Sequence, residues 1–70
     1  MASRGYFEEY KVGNYLVVKH THVDDYSTSY FIEVYDEYTG AIEPIEEIES
    51  TWDEVDYVLE STIRRYADQD

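Results

Sequence analysis

"NYLVVKHTHV", residues 14 to 23, carries the strongest strand signal in the chain. It is rich in β-branched and aromatic residues, which favour β-structure. Apolar side chains occupy both alternating sets of positions, with Tyr15 and Val17 on one face and Leu16 and Val18 on the other. The segment therefore predicts a central strand of a sheet that is covered on both sides.

Further strands are predicted on either side of this segment. YFEEYKV and YFIEVYD have a similar composition, and Gly13 and Gly40 supply turns because glycine readily adopts positive φ. Pro44 cannot donate to a ladder, so AIEPI suits a short edge strand. Residues 1–5 are expected to form a frayed tail and residues 6–70 a single domain. The predicted strands cover residues 6–12, 14–23, 30–36 and 41–45.

A helix is predicted over residues 52–67, after Thr51 and Glu54, whose spacing matches a capping box. Apolar residues then recur at helical periodicity and form one stripe that can pack on the sheet. The order predicts an α+β fold, a three- or four-stranded antiparallel β-meander packed on one C-terminal α-helix. The predicted stripe comprises Trp52, Val55, Val58, Leu59, Thr62, Ile63 and Tyr66.

The sequence predicts a non-enzymatic protein with no cofactor. It contains no cysteine, no phosphate-binding glycine loop and no recognisable nucleophile motif. His20 and His22 would share a strand face with Asp24 nearby, which is compatible with a zinc site. However, ordinary strand histidines have the same spacing. We therefore assign neither catalytic residues nor metal ligands, and leave metal binding by the two histidines open.

The charge is strongly negative and unevenly distributed. The formal net charge is -12, and thirteen acidic residues lie between Lys19 and Arg64 without an intervening lysine or arginine. Such a surface repels nucleic acid and anionic membranes and attracts basic partners. No apolar run approaches the ~18 residues that a membrane-spanning helix needs. We expect no direct nucleic-acid binding, no membrane contact and a cytoplasmic location.

The densest acidic segment lies within residues 41–60, which hold eight carboxylates. On a helix, Asp53, Asp56 and Glu60 would share one side, with one charge per ~5 Å at a rise of ~1.5 Å per residue. A DNA strand carries one charge per ~3.4 Å, so the spacing is sparser but comparable. Glu8, Glu9 and Glu33 lie outside this segment and are expected to matter less for binding. Four more acids would extend the cluster through the approach to the helix: Glu43, Glu46, Glu47 and Glu49.

In its small size, acidity, lack of cysteine and the carboxylates of "EPIEEIESTWDEVDYVLE", the chain resembles the small phage-encoded nucleic-acid mimics of the anti-CRISPR and antirestriction type. The resemblance implies an inhibitor that binds a basic, nucleic-acid-binding effector or nuclease in the host cytoplasm. It matches no motif, so no functional residue can be transferred by position.

Two other functions remain open at the level of sequence. The nine tyrosines suit a protein-interaction module, because tyrosine buries a large area at low entropic cost. A halophilic housekeeping domain would also be acidic. An edge strand and spare tyrosines are compatible with a homodimer. The predicted partner-binding residues are Tyr35, Glu43, Glu46, Glu47, Glu49, Asp53, Asp56, Tyr57 and Glu60.

Overall fold

The computed structural model describes residues 4–69 and confirms an α+β meander with four strands. The strands form one antiparallel sheet in the order β1-β2-β3-β4, and a single helix follows them. No helix among residues 4–69 is both long and apolar enough to cross a membrane. The elements are β1 (Arg4–Val12), β2 (Tyr15–Val23), β3 (Thr28–Asp36), β4 (Glu46–Ser50) and α1 (Val55–Ala67).

The core lies between α1 and one face of the sheet. Strand register places Val17 of β2 opposite Val34 of β3, and Ile32 opposite Ile48 of β4. Val17, Ile32 and Val34 are fully buried. Because side chains alternate along a strand, all of these residues point to the same side of the sheet. The helix contributes Val55, Leu59 and Tyr66 to this cluster.

Within residues 4–69, the other side of the sheet carries no helix, so the prediction that β2 is covered on both sides is wrong. Thirteen helical residues provide one apolar stripe, and the sheet face that packs on it already occupies that stripe. We call the uncovered side the open face. Its side chains come from alternate positions of all four strands: Phe7, Glu9, Lys11, Leu16, Val18, His20, His22, Phe31, Glu33, Tyr35, Glu47 and Glu49.

The predicted fourth strand at residues 41–45 is also wrong, because β4 begins at Glu46. Residues 41–45 belong to the connection after β3, where Ile42 is 92% exposed. The connection ends where the Ile45 amide donates to the Val34 carbonyl at 2.7 Å. The strand that follows, EEIES, is rich in glutamate, which has a low β-propensity. Its pairing is favoured by the contact of Ile48 with the core strand rather than by local preference.

The helix begins three residues later than predicted, at Val55. Trp52 precedes it and is 76% exposed, so it does not belong to the buried stripe. The capping box is absent: Glu54 occupies the N-cap position without a side-chain hydrogen bond, and the Thr51 hydroxyl donates to Asp53 at 2.6 Å instead. A turn over residues 51–54 therefore replaces the predicted first helical turn.

The start of the chain also differs from expectation. Arg4 and Gly5, predicted as part of a frayed tail, pair with Val23 and His22 at the end of β2. Residues 1–3 of that predicted tail lie outside the described residues. Strand β1 therefore extends along the full length of β2.

Replacing Ile32 by valine should lower the free energy of unfolding by about 1 kcal/mol, because it removes one methylene from a fully buried side chain. Ile42→Val removes the same group from an exposed side chain and should change stability by less than about 0.5 kcal/mol. Urea denaturation followed by circular dichroism measures both. Equal losses in the two variants would contradict the assignment of the core.

Candidate functional site: two acidic surfaces

The acids of the dense segment lie on two opposite sides of the protein. In β4, side-chain alternation directs Glu47 and Glu49 to the open face and Glu46 to the helix side. Asp56 and Glu60 lie on exposed positions of α1. The single acidic surface predicted from the sequence is therefore divided by the sheet.

The acids on the helix side are partly neutralised. The Asp56 carboxylate lies 3.6 Å from the ammonium of Lys19, whose side chain is only 16% exposed beneath the helix. Asp53 accepts the Thr51 hydroxyl in the turn before α1 rather than lying on the helix. Glu60 and Tyr57 are exposed on α1, and Glu43 is exposed in the connection that precedes β4. This side carries negative charge, but a cation is already present within it.

Glu46 was predicted to bind a partner, but in the structure its carboxylate joins β4 to α1. It accepts hydrogen bonds from Arg65 at 3.0 and 3.1 Å and from the Tyr66 hydroxyl at 2.7 Å. The Tyr66 hydrogen bond, with help from Arg65, lowers the pKa of Glu46. Burial and the same hydrogen bond raise the pKa of Tyr66 to about 12. Glu46 therefore stabilises the fold.

The open face holds a row of carboxylates that crosses the sheet. Register places Glu9, Val18, Glu33 and Glu47 next to one another on β1, β2, β3 and β4. At ~4.8 Å between strands, this row spans ~14 Å. Glu49 lies on the neighbouring row. The expectation that Glu9 and Glu33 lie away from the other acids is wrong, because the sheet places Glu33 beside Glu47 and Glu9 in the same row.

A row of three rings, from Phe7, His20 and Phe31, runs beside these carboxylates. The ring of His20 stacks on Phe31 with centroids 4.5 Å apart, and Phe7 flanks its other side at 6.3 Å. His20 Nε2 lies 2.5 Å from a Glu33 oxygen but makes no hydrogen bond to it. The open face therefore combines aromatic surface with acidic groups.

Tyr35 completes this arrangement from β3. Its hydroxyl donates to Glu33 at 3.0 Å. Burial, together with the nearby Glu33 carboxylate, raises the pKa of Tyr35. Tyr35 is half-buried and keeps its proton, so it holds Glu33 in position.

The histidine pair of β2 does not gain Asp24 as a third metal ligand, because this carboxylate closes a turn. Asp24 accepts the backbone amides of Tyr26 and Ser27 at 2.9 and 2.8 Å, which closes the turn after β2 and lowers its pKa. Within residues 4–69, no three histidine, aspartate or glutamate side chains form a group that could hold a metal ion. His20 instead contributes to the aromatic row.

The exposed tyrosines do not form one patch. Tyr26 follows β2 and Tyr38 follows β3, so they lie at opposite ends of the sheet. Nine residues of strand separate these ends by ~30 Å. Tyr57 is exposed on the helix side. These tyrosines could contact three separate partners or surfaces more easily than one.

No protein-family model, curated protein sequence or solved structure matches this chain. Function is therefore inferred from the charge, exposure and packing of the two acidic surfaces.

Replacing Glu46 by glutamine should lower the free energy of unfolding by about 1–3 kcal/mol at neutral pH, because Arg65 and Tyr66 lose their charged acceptor. The folded-state pKa of Glu46 lies below its usual value of 4.5. Its contribution is therefore complete above that pH and is lost as the pH falls through the folded pKa. Urea denaturation at several pH values should show the two proteins converging in acid.

Glu47→Gln is the matched control, since Glu47 is the next residue and is exposed on the open face. Removing its charge should leave stability unchanged or raise it slightly, because it relieves repulsion from neighbouring acids. A loss of stability in this variant as large as in Glu46→Gln would show that the ion pair with Arg65 has no special role.

Proposed function

We propose that this protein is a non-enzymatic acidic inhibitor that binds a basic, nucleic-acid-binding surface of a partner protein and blocks it. The observation that carries the proposal is the placement of the few cations. The chain has seventeen acidic residues but only five lysines and arginines. Three of those five pair with carboxylates of the same chain. None of these pairs involves an acid of the open face, so those acids have no lysine or arginine partner among residues 4–69. The three paired cations are Lys11, Lys19 and Arg65.

The electrostatics of the open face suit this role. Glu47 and Glu49 are two residues apart on one strand face, a separation of ~7 Å. With Glu9 and Glu33 they form an acidic patch. Lys11 lies on the same face but pairs with Glu37 rather than with these four acids. A patch of one sign accelerates association with an oppositely charged surface and discriminates against anionic partners.

The target class follows from this chemistry. A basic groove that holds a nucleic-acid backbone offers arginines and lysines in a row, and a row of carboxylates can pair with them. Effector nucleases and restriction enzymes have such grooves. An inhibitor of the anti-CRISPR or antirestriction type is therefore the specific form of the proposal, supported by the small size and net charge of -12.

Exposed tyrosines favour a second candidate, an accessory module that docks through aromatic side chains. Tyr26, Tyr38 and Tyr57 are all largely exposed. Their dispersion over the molecule supports this candidate less well than the carboxylate row supports the first. In a tyrosine-led module, Tyr57→Ala would weaken binding more than neutralising three open-face acids.

A halophilic domain, the remaining alternative, predicts a different response to salt. Such a domain should unfold when salt is withdrawn. We expect the present protein to stay folded at low salt, although added salt should raise its midpoint of thermal unfolding by screening self-repulsion. Thermal melts in dilute buffer distinguish these outcomes, and an unfolded baseline at low salt would favour the halophilic domain.

The inhibitory function predicts displacement of nucleic acid. Proteins from source-cell lysate that the immobilised protein retains at low salt should bind DNA or RNA, and adding the protein should release that nucleic acid. The protein alone should give no gel shift with either nucleic acid, because it offers no basic patch. Retained proteins that keep their nucleic acid in its presence would contradict the proposal.

The two acidic surfaces are compared with charge-matched variants. Replacing Glu9, Glu47 and Glu49 by glutamine should weaken displacement more than replacing Asp53, Asp56 and Glu60 by asparagine, asparagine and glutamine. The reason is that Lys19 already pairs with Asp56 on the helix side. Both variants lose three charges, so a general loss of attraction affects them equally. The reverse order would place the inhibitory surface on the helix side.

A further inference from the structure

A groove of about 270 Å³ crosses the open face between β1 and β3. Pockets for drug-sized ligands occupy roughly 300–1,000 Å³, so this groove is of a size for one large side chain. The residues that line it are Phe7, Glu9, Leu16, Val18, His20 and Tyr35.

The floor of the groove is apolar and its walls are aromatic. Leu16 and Val18 form the floor, and Val18 is only 5% exposed. Phe7 lies at one side of the groove. It is 63% exposed, so its large apolar ring can still bury surface against an occupant. Tyr35 stands at the other side, next to Leu16 in the strand register. An aliphatic chain that entered here would bury apolar surface from the floor and from both walls.

The charged groups of the groove are acidic. Glu9 lies at its edge, and Glu33 lies one strand beyond Val18 with a side chain that is 12% exposed. The Tyr35 hydroxyl donates to the Glu33 carboxylate, and the His20 ring lies close to it. Lys11, the nearest lysine on this face, pairs with Glu37 in the turn after β3. An occupant therefore needs an apolar stem and a cationic head.

We propose that this groove receives an arginine side chain from the basic partner. The methylene stem would lie on Leu16 and Val18, and the guanidinium would stack on the exposed ring of Phe7 and pair with Glu9. Arginine fits this combination better than lysine, because its planar head both stacks on aromatic rings and pairs with carboxylates in two-point geometry. The proposal rests on the proposed function and identifies the part of the surface that fixes the partner's position.

A second copy of the chain is a poorer occupant. Two open faces brought together would oppose Glu9, Glu47 and Glu49 of one copy to the same carboxylates of the other. Like charges at close range cost several kcal/mol in an interface. Charge complementarity therefore favours a basic partner over self-association.

A short peptide of alternating glycine and arginine tests the groove directly, with the lysine version of the same peptide as a comparison. Neither peptide carries an apolar residue that could enter the groove by itself. Binding to the isotope-labelled protein is followed by amide chemical shifts. The arginine peptide should move the resonances of Phe7, Leu16 and Val18 in particular and should bind several-fold more tightly than the lysine peptide.

Two double variants on one strand provide the matched comparison. Phe7→Ala with Glu9→Gln alters the groove, whereas Tyr6→Ala with Glu8→Gln makes the same kind of change on the opposite face of β1. Both remove one exposed aromatic ring and one charge, and the second also removes the ion pair between Glu8 and Lys19. The first should weaken the arginine peptide by about tenfold or more, equivalent to ~1.4 kcal/mol, and the second by less than about twofold.

Other results would overturn the proposal in distinguishable ways. Equal weakening in the two double variants, or equal affinity for the lysine peptide, would reject the arginine groove but leave the acidic inhibitor intact. Groove resonances that shift with protein concentration alone would assign the groove to a second copy. If neither peptide bound at low salt, attraction to basic surfaces, and with it the proposed function, would fail as well. The shift pattern of the wild-type protein decides these cases even if one variant does not fold.

Discussion

The packing of one helix on one face of the sheet is the contact on which the rest of the structure depends. Val17, Ile32 and Val34 are buried against Val55 and Leu59 of α1. Residues 4–69 contain one helix, so the opposite face of the sheet has no helix from this part of the chain against it. A small domain has too little chain to enclose a sheet on both sides. Side chains on the open face, such as Phe7, are therefore exposed to water.

The distribution of charge follows from the same constraint. Cations occur where the structure needs them: Lys19 lies beneath the helix near Asp56, and Arg65 pairs with Glu46 between α1 and β4. These pairs reduce self-repulsion around the core. Lys11 lies on the open face but pairs with Glu37, so Glu9, Glu47 and Glu49 have no lysine or arginine partner among residues 4–69 and lie close to the exposed ring of Phe7. The contacts that stabilise the fold lie on one side of the sheet, and the proposed partner-binding surface lies on the other.

Much of the architecture is predictable from local patterns, because strands β2 and β3 are rich in β-branched and aromatic residues. Strand β4 is not, since glutamates dominate it and its place depends on the pairing of Ile48 with Ile32. The helix start was misplaced because Trp52 matches the apolar period but precedes the first helical turn. Local sequence could indicate these elements but not the contacts that fix their ends.

The candidate site was less predictable than the fold. Glu9 and Glu47 are 38 positions apart in the sequence, and only the register of three strand pairs places them in one row. The role of Glu46 likewise depends on Arg65, which lies 19 residues away. Side-chain alternation along β3 places Glu33 and Tyr35 on the face opposite to Ile32 and Val34. The carboxylates were visible in the sequence, but their grouping required the topology.

Methyl resonances on the two sides of the sheet provide the most direct test of the central claim that the open face binds the partner. The probes are Leu16 and Val18 on the open face and Val58 and Ile63 at the helix side of the core. Titration with a retained nucleic-acid-binding protein should shift or broaden the first pair at low protein ratios while the second pair changes little. Perturbation of Val58 and Ile63 with Leu16 and Val18 unchanged would place the interface on the helix and contradict the account.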